Sequence, residues 1–102
     1  MSFKNGMRPV HPGEVLREDY LKPLDMSVNA LARRLGVPTS RLNDIVLERR
    51  GVTPDTAMRL ARFFGGDARS WLNLQTAYDL RSTEIKRAKE IERVVEPLRR
   101  SA

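Results

Sequence analysis

The sequence contains no cysteine, and this absence excludes disulfide bridges, cysteine-ligated zinc and thiol catalysis. It has one histidine, His11, and therefore cannot form a multi-histidine metal site. It also lacks a visible nucleophile with its base, a paired-carboxylate cluster and a phosphate-binding loop. We therefore expect no metal, no cofactor and no enzymatic activity, and we interpret His11 as a structural residue.

Long hydrophobic runs are also missing, since none approaches the roughly 18 residues of a membrane span. The N-terminal segment MSFKNGMRPVHPG has no apolar stretch of the kind found in export signals. We therefore expect a cytoplasmic protein without a membrane partner. Its 102 residues, of which 40% are hydrophobic, suffice for one core that folds without disulfides or metal.

What the chain has in excess is positive charge, with 19 Lys and Arg against 13 Asp and Glu. The net charge of +6 favours an anionic partner, and nucleic acid first. Each half of the chain carries +3, so a basic surface must be assembled by folding rather than by a charged tail. Outside the C-terminal end, the most basic stretch is residues 33–50, where five arginines face only Asp44 and Glu48.

Glycine, proline and capping residues divide the chain into helices, and no segment shows the alternation typical of a strand. Pro23 is expected to stop the first helix near Leu21, and Pro97 to stop the last. Helices are predicted over residues 14–21, 28–35, 38–49, 54–64, 68–81 and 82–96. The predicted fold class is all-α, with a five-helix domain over residues 1–81 and a C-terminal amphipathic helical extension over residues 82–102.

Residues 28–49 have the features of a helix-turn-helix, in which two short helices are joined by a tight turn. Gly36 occupies the turn, where a positive φ is cheap only for glycine. The residues expected to pack this pair are Ala32, Gly36, Val37, Leu42 and Ile45. A glycine turn between amphipathic helices also occurs in helical domains that bind no DNA, so this pattern by itself leaves both interpretations open.

The outward face of the second helix of this pair is polar and suits the major groove of DNA. Arg41 can pair with guanine or a phosphate, whereas Asn43 can recognise adenine through its amide. The arginines that follow the helix are better placed for backbone phosphates. The predicted DNA-binding residues are Thr39, Ser40, Arg41, Asn43, Asp44, Arg49 and Arg50.

Two further patterns lie on the predicted C-terminal helices. Trp71 and Tyr78, seven residues apart, could stack on a nucleobase, but packing in a core or a dimer contact is favoured. Ile85 and Ile91 belong to an apolar stripe that either binds a partner helix or docks on its own domain. The candidate dimer or partner contacts are Trp71, Tyr78, Ile85 and Ile91.

Four ordered blocks between Met7 and about Leu80 resemble the HigA-type antitoxins of the Xre helix-turn-helix superfamily. They are RPVHPGEVLREDYLKPL, NALARRLGVPTSRLNDI, GVTPDTAMRLARFFG and WLNLQTAYDL. The resemblance implies a lambda-repressor-like fold and a homodimer that binds a palindromic operator in double-stranded DNA. It further implies autorepression and neutralisation of a HigB-type toxin, an RNase that cleaves messenger RNA on the ribosome. The DNA-reading positions that it implies are Thr39, Ser40, Arg41, Asn43 and Asp44.

The sequence departs from this family at Leu47 and Glu48, where relatives commonly have Asn-Gly. Without the glycine, we expect the second helix of the pair to continue for about one more turn, with Glu48 near the phosphates. Two alternatives stay open. One is a stand-alone Xre-type repressor without a toxin partner, and the other is an interaction module that lost DNA binding because of Asp44 and Glu48.

Overall fold

The computed structural model describes residues 8–99, which form five helices and no strand, so the predicted all-α fold class is confirmed. Helix α1 comprises Pro12–Val15, a π-helical stretch Leu16–Leu21 and Lys22–Leu24. The other helices are α2 (Val28–Leu35), α3 (Thr39–Val46), α4 (Pro54–Phe64) and α5 (Ala68–Val94). The outer ends of the two predicted units, residues 1–7 and 100–102, lie outside the described residues, and the division after residue 81 stays a prediction.

Helix α1 passes through Pro23, so its predicted end near Leu21 is wrong. From Leu16 to Leu21 the backbone shifts to the π register, and the N–H of Lys22 donates to the carbonyl of Arg17, five residues earlier. A proline ring normally clashes with the carbonyl four residues before it, and the wider π turn provides room for the ring.

Helix α3 ends at Val46, so the expected extra turn is also wrong. Glu48 adopts a left-handed conformation with φ 64°, and its N–H donates to the Ile45 carbonyl at 2.9 Å. The N–H of Arg49 donates to the Asp44 carbonyl at 2.8 Å. These two bonds form a Schellman motif, in which glycine is the usual residue at the position of Glu48. Helix α3 therefore ends in a turn that usually contains glycine, although this chain has glutamate there.

We predict that Glu48→Gly is more stable than Glu48→Ala by about 1 kcal/mol. Both substitutions remove the carboxylate, but only glycine relieves the left-handed conformation, which costs other residues about 1 kcal/mol. Urea denaturation of the two variants measures this difference in the free energy of unfolding. Equal midpoints with equal slopes would show that the left-handed position is not strained.

The core lies where α1 to α4 meet the first turns of α5. Its buried apolar residues come from every helix, and each large one contributes about 1.5–3 kcal/mol by leaving water. They are Leu16, Leu21, Leu31, Ala32, Leu35, Leu42, Ile45, Val46, Val52, Ala57, Leu60 and Trp71.

His11 is 3% exposed and caps α1, since its Nδ1 accepts a hydrogen bond of 2.8 Å from the Gly13 N–H. Its ring packs edge-on against Tyr78, with 4.8 Å between the ring centroids. Burial lowers the pKa of His11, because the charged imidazolium would lose its hydration. His11 thus has the structural role that we predicted, as the cap of α1 and a packing partner of Tyr78.

Lowering the pH from about 7 to about 5 is expected to destabilise the protein through His11. The unfolded state protonates this side chain near pH 6.5, whereas the folded state does so only at a lower pH. The unfolded state therefore binds more protons in this window, and stability falls as the pH drops. Urea titrations at several pH values should show a weaker dependence for His11→Asn, which keeps a capping acceptor but does not titrate. Identical pH dependence of the two proteins would contradict this assignment.

A single helix, α5, replaces the two helices predicted over residues 68–81 and 82–96. It begins at an Asp67 cap, whose carboxylate accepts a hydrogen bond of 2.8 Å from the Ser70 N–H. This bond lowers the pKa of Asp67. No glycine or proline occurs between residues 68 and 94, so nothing interrupts the helix. Because α5 has 27 residues, it extends well beyond the core, and the structure measures 58 Å along its longest axis.

The two ends of α5 have different surroundings. Trp71 is buried, and its ring lies 5.5 Å from that of Tyr20, so it belongs to the core of its own chain and not to a dimer contact. Ile85 and Ile91 are 59% and 45% exposed. The interpretation in which their stripe docks on its own domain is therefore wrong. Within residues 8–99, no helix has both the length and the apolar character to cross a bilayer.

Candidate nucleic-acid interface

The turn between α2 and α3 depends on Gly36, which has φ 71°. Its N–H donates to the Arg33 carbonyl, and the N–H of Val37 donates to the Ala32 carbonyl at 3.1 Å. Ala32, Leu42 and Ile45 are all at most 1% exposed, and Val37 is half-buried against the core. The structure thus places all five predicted packing residues at the junction of the two helices.

Helix α1 holds α3 at two points that the sequence did not predict. Gly13 lies against the backbone of α3, so close that a Cβ atom at this position would be 1.8 Å from the Ile45 carbonyl oxygen. Further along α1, the Arg17 guanidinium donates to the Val46 carbonyl at the end of α3 and lies 3.4 Å from the Glu48 carboxylate. The residues around Gly13 and Arg17 give no signal for either contact, because both contacts join residues about 30 positions apart.

The N-terminal part of α3 presents polar groups to solvent. Thr39, Ser40 and Asn43 are exposed, and the Thr39 hydroxyl donates to the Asn29 side-chain oxygen at 2.7 Å. Pro38 precedes the helix and provides no side-chain cap. The first N–H groups of α3 are therefore left to solvent or to a phosphate, which the positive end of the helix dipole favours.

The loop after α3 contributes a second group of charges. Arg49 and Arg50 lie 3.6 Å and 3.9 Å from the two carboxylate oxygens of Asp44, and both arginines are exposed. Asp44, a residue of α3, is partly buried. One acid is thus accompanied by two arginines, so the local charge stays positive.

A further ion cluster, which the sequence did not predict, joins α3 to α4. Asp55 in the first turn of α4 accepts a hydrogen bond of 2.9 Å from Arg59 and lies 3.4 Å from Arg41. Arg59 also donates to the Leu35 carbonyl at 2.8 Å, at the end of α2. The spacing of Asp55 and Arg59 by four residues was a usable signal for their pair. The sequence gave no signal for the contact of Asp55 with Arg41 or for that of Arg59 with Leu35.

Gln75 of α5 fixes the loop that follows α3. Its side-chain oxygen accepts a hydrogen bond of 2.8 Å from the Val52 N–H, and its amide donates to Asp79 at 3.0 Å. The side chain occupies the space beside Gly51, where a Cβ atom would lie 2.9 Å from the Gln75 amide carbon. The sequence by itself gave no reason to expect that Gln75 would hold this loop.

Two short helices joined by a glycine turn, with the second presenting a polar face beside exposed arginines, define a helix-turn-helix protein. The helix-turn-helix family HTH_3 matches residues 18–71. The chain belongs to this family and, within it, to the HigA-type antitoxins, as its relatives show.

Virulence-associated protein I of Dichelobacter nodosus is 63% identical over 81 residues, which are 79% of this chain and 75% of that protein. The structure of antitoxin GraA is 49% identical with a TM-score of 0.89, over 91% of this chain and 100% of GraA. The structure of Pseudomonas aeruginosa antitoxin HigA with the higBA promoter is 47% identical with a TM-score of 0.86. It covers 90% of this chain and 100% of HigA.

Proposed function

We propose that this protein is a cytoplasmic, non-enzymatic antitoxin that binds a palindromic operator as a homodimer, represses its own operon and neutralises a HigB-type toxin. The observation that carries the DNA-binding part is the likeness to HigA, whose structure was solved with its promoter DNA and superimposes over 90% of this chain. In this chain the matching fold carries the exposed polar residues Thr39, Ser40 and Asn43 on α3.

Charge at the interface supports the same proposal. Arg41 lies on α3, and Arg49 and Arg50 follow it in the next loop. Asp44, one of the two acids that argued against DNA binding, is accompanied by the two loop arginines. Glu48, the other acid, lies beside Arg17. Each carboxylate near α3 therefore has a cation close to it, which reduces its repulsion of phosphates.

The dimer is proposed from the geometry of recognition. One α3 helix offers few base contacts, whereas two helices related by two-fold symmetry double them and fix half-sites about 34 Å or a multiple apart. Ile85 and Ile91 on the exposed part of α5 are apolar side chains without cover in the single chain, which favours a protein partner there.

The test of DNA binding is a titration of the promoter fragment of this operon at several salt concentrations. If Arg49 and Arg50 of each protomer contact phosphates, log K should fall with log salt with a slope of about 3.6. An unrelated duplex of equal length is the control for specificity. No shift of the promoter at low salt would overturn the proposal and favour an interaction module without DNA binding.

The test of the antitoxin role is a pull-down with the product of the adjacent reading frame, followed by co-expression of the two proteins. Capture of a small RNase and rescue of growth on co-expression are the expected results. A promoter-binding protein with no such neighbour would instead be a stand-alone Xre-type repressor, which is the second candidate function.

A further inference from the structure

We infer that Asp55 is a positioning residue that raises the sequence specificity of α3 by holding Arg41, and this inference rests on the proposed DNA binding. Asp55 Oδ2 accepts a hydrogen bond of 2.9 Å from Arg59 Nε and lies 3.4 Å from a terminal nitrogen of Arg41. One carboxylate oxygen thus lies between an arginine of α3 and an arginine of its own helix.

The carboxylate of Asp55 is anchored from two directions. Thr53 caps α4 through a hydrogen bond from the Thr56 N–H, which fixes the turn that carries Asp55. Arg59 donates to the Leu35 carbonyl at 2.8 Å and to the Gly36 carbonyl at 3.4 Å, which ties it to the turn of the helix-turn-helix. Asp55 is therefore placed relative to α3, and not only relative to α4.

Arg41 is the member of this cluster that can turn toward DNA. Its side chain is 35% exposed, and an ion pair with an exposed carboxylate is weak in water, so the contact with Asp55 can be remodelled. The guanidinium has five N–H donors in a fixed plane, and one of its terminal nitrogens lies 3.4 Å from Asp55. Its remaining donors are able to form the bidentate pair with guanine that gives direct readout.

The same carboxylate opposes binding to the wrong sequence. Asp55 lies in a cleft that Arg41, Arg50 and Arg59 also line, beside the turn at Gly36. Its carboxylate competes with phosphates for Arg41 wherever no matching base is offered. Specificity is a difference of affinities, so an ion pair that keeps Arg41 from the phosphates of non-specific DNA raises the ratio for the operator.

The test compares the wild-type protein with Asp55→Asn on the promoter fragment and on an unrelated duplex across a salt series. The substitution should tighten binding to the unrelated duplex several-fold and steepen its salt dependence by up to about 0.9 per protomer, since Arg41 becomes free for a phosphate. The ratio of promoter to unrelated affinity should fall roughly tenfold, within the discrimination that one base contact provides. Asp55→Glu, which keeps the charge, should retain the wild-type ratio.

Two controls distinguish the positioning of Arg41 by Asp55 from a general effect of net charge, and melts exclude a loss of stability. Asp19→Asn makes the same change of charge on an exposed residue of α1 and should leave the ratio unchanged. In an Arg41→Ala background, Asp55→Asn should no longer change the ratio, because its effect passes through Arg41. Thermal melts of each variant verify that the fold is retained.

The two proposals fail in different ways. An unchanged ratio in Asp55→Asn, or an equal change in the Arg41→Ala background, would overturn the inference while leaving DNA binding in place. A wild-type protein that does not distinguish the promoter from the unrelated duplex would overturn the proposed function itself, and the inference with it.

Discussion

Replacing Gly13 with alanine is expected to lower the free energy of unfolding by at least about 3 kcal/mol. The added Cβ would lie 1.8 Å from the Ile45 carbonyl oxygen and 2.8 Å from its carbonyl carbon. Both atoms belong to the backbone of α3, and Ile45 is fully buried, so no flexible side chain can move aside. The only relief is a displacement of α1 relative to α3, which disrupts the core that the two helices share.

The matched control for Gly13→Ala is Gly66→Ala. Gly66 has φ 84°, yet apart from its two chain neighbours no residue lies within 4 Å of the position of its Cβ, so that variant measures backbone strain without crowding. We expect a loss of about 1–2 kcal/mol there. Urea denaturation gives both values, and a Gly13→Ala protein with near wild-type stability would show that α1 does not pack on α3 as described.

Arg41→Ala is expected to weaken promoter binding by about 1–3 kcal/mol and to relax specificity at one base pair. The reason is that Arg41 lies on α3 itself, where its guanidinium can reach a base edge. A double substitution of the two loop arginines, Arg49→Gln with Arg50→Gln, should behave differently. It should weaken promoter and unrelated DNA alike, and reduce the salt slope by about 0.9 for each phosphate that is no longer neutralised.

Competition titrations against a set of single-base promoter variants distinguish the two arginine groups. If Arg41→Ala lowers affinity for every sequence by the same factor, Arg41 contacts a phosphate and does not read a base. If the loop double variant changes base preference, then Arg49 or Arg50 reaches into the groove, contrary to our placement of them beside the helix.

The helix-turn-helix was predictable because its determinants are local. Gly36, the apolar spacing of α2 and the Ser27 cap all act within one or two turns of the chain, and the structure places each as expected. The Ser27 hydroxyl accepts a hydrogen bond of 3.0 Å from the Ala30 N–H, as the sequence signal for a helix start requires.

The errors arose where the backbone does not follow the usual local rule for a helix end. Pro23 normally ends a helix, yet the π register of α1 accommodates it. Glu48 lacks the freedom of glycine, yet it ends α3 in a left-handed conformation, beside an arginine of α1. The break predicted near residue 81 is absent because capping residues within a helix do not interrupt it when no glycine or proline follows.

The sequence by itself determined that this is an all-helical, basic chain with a helix-turn-helix that begins at residue 28, since capping, turn geometry and helical periodicity depend on neighbouring residues. Only the tertiary structure decided how α3 is held. Gly13 and Arg17 of α1, Asp55 and Arg59 of α4 and Gln75 of α5 all meet α3 or its flanking turns from distant positions. Contacts of this kind depend on how the helices pack in three dimensions. The pattern of residues along the chain does not predict which residues far apart in sequence lie close together in space.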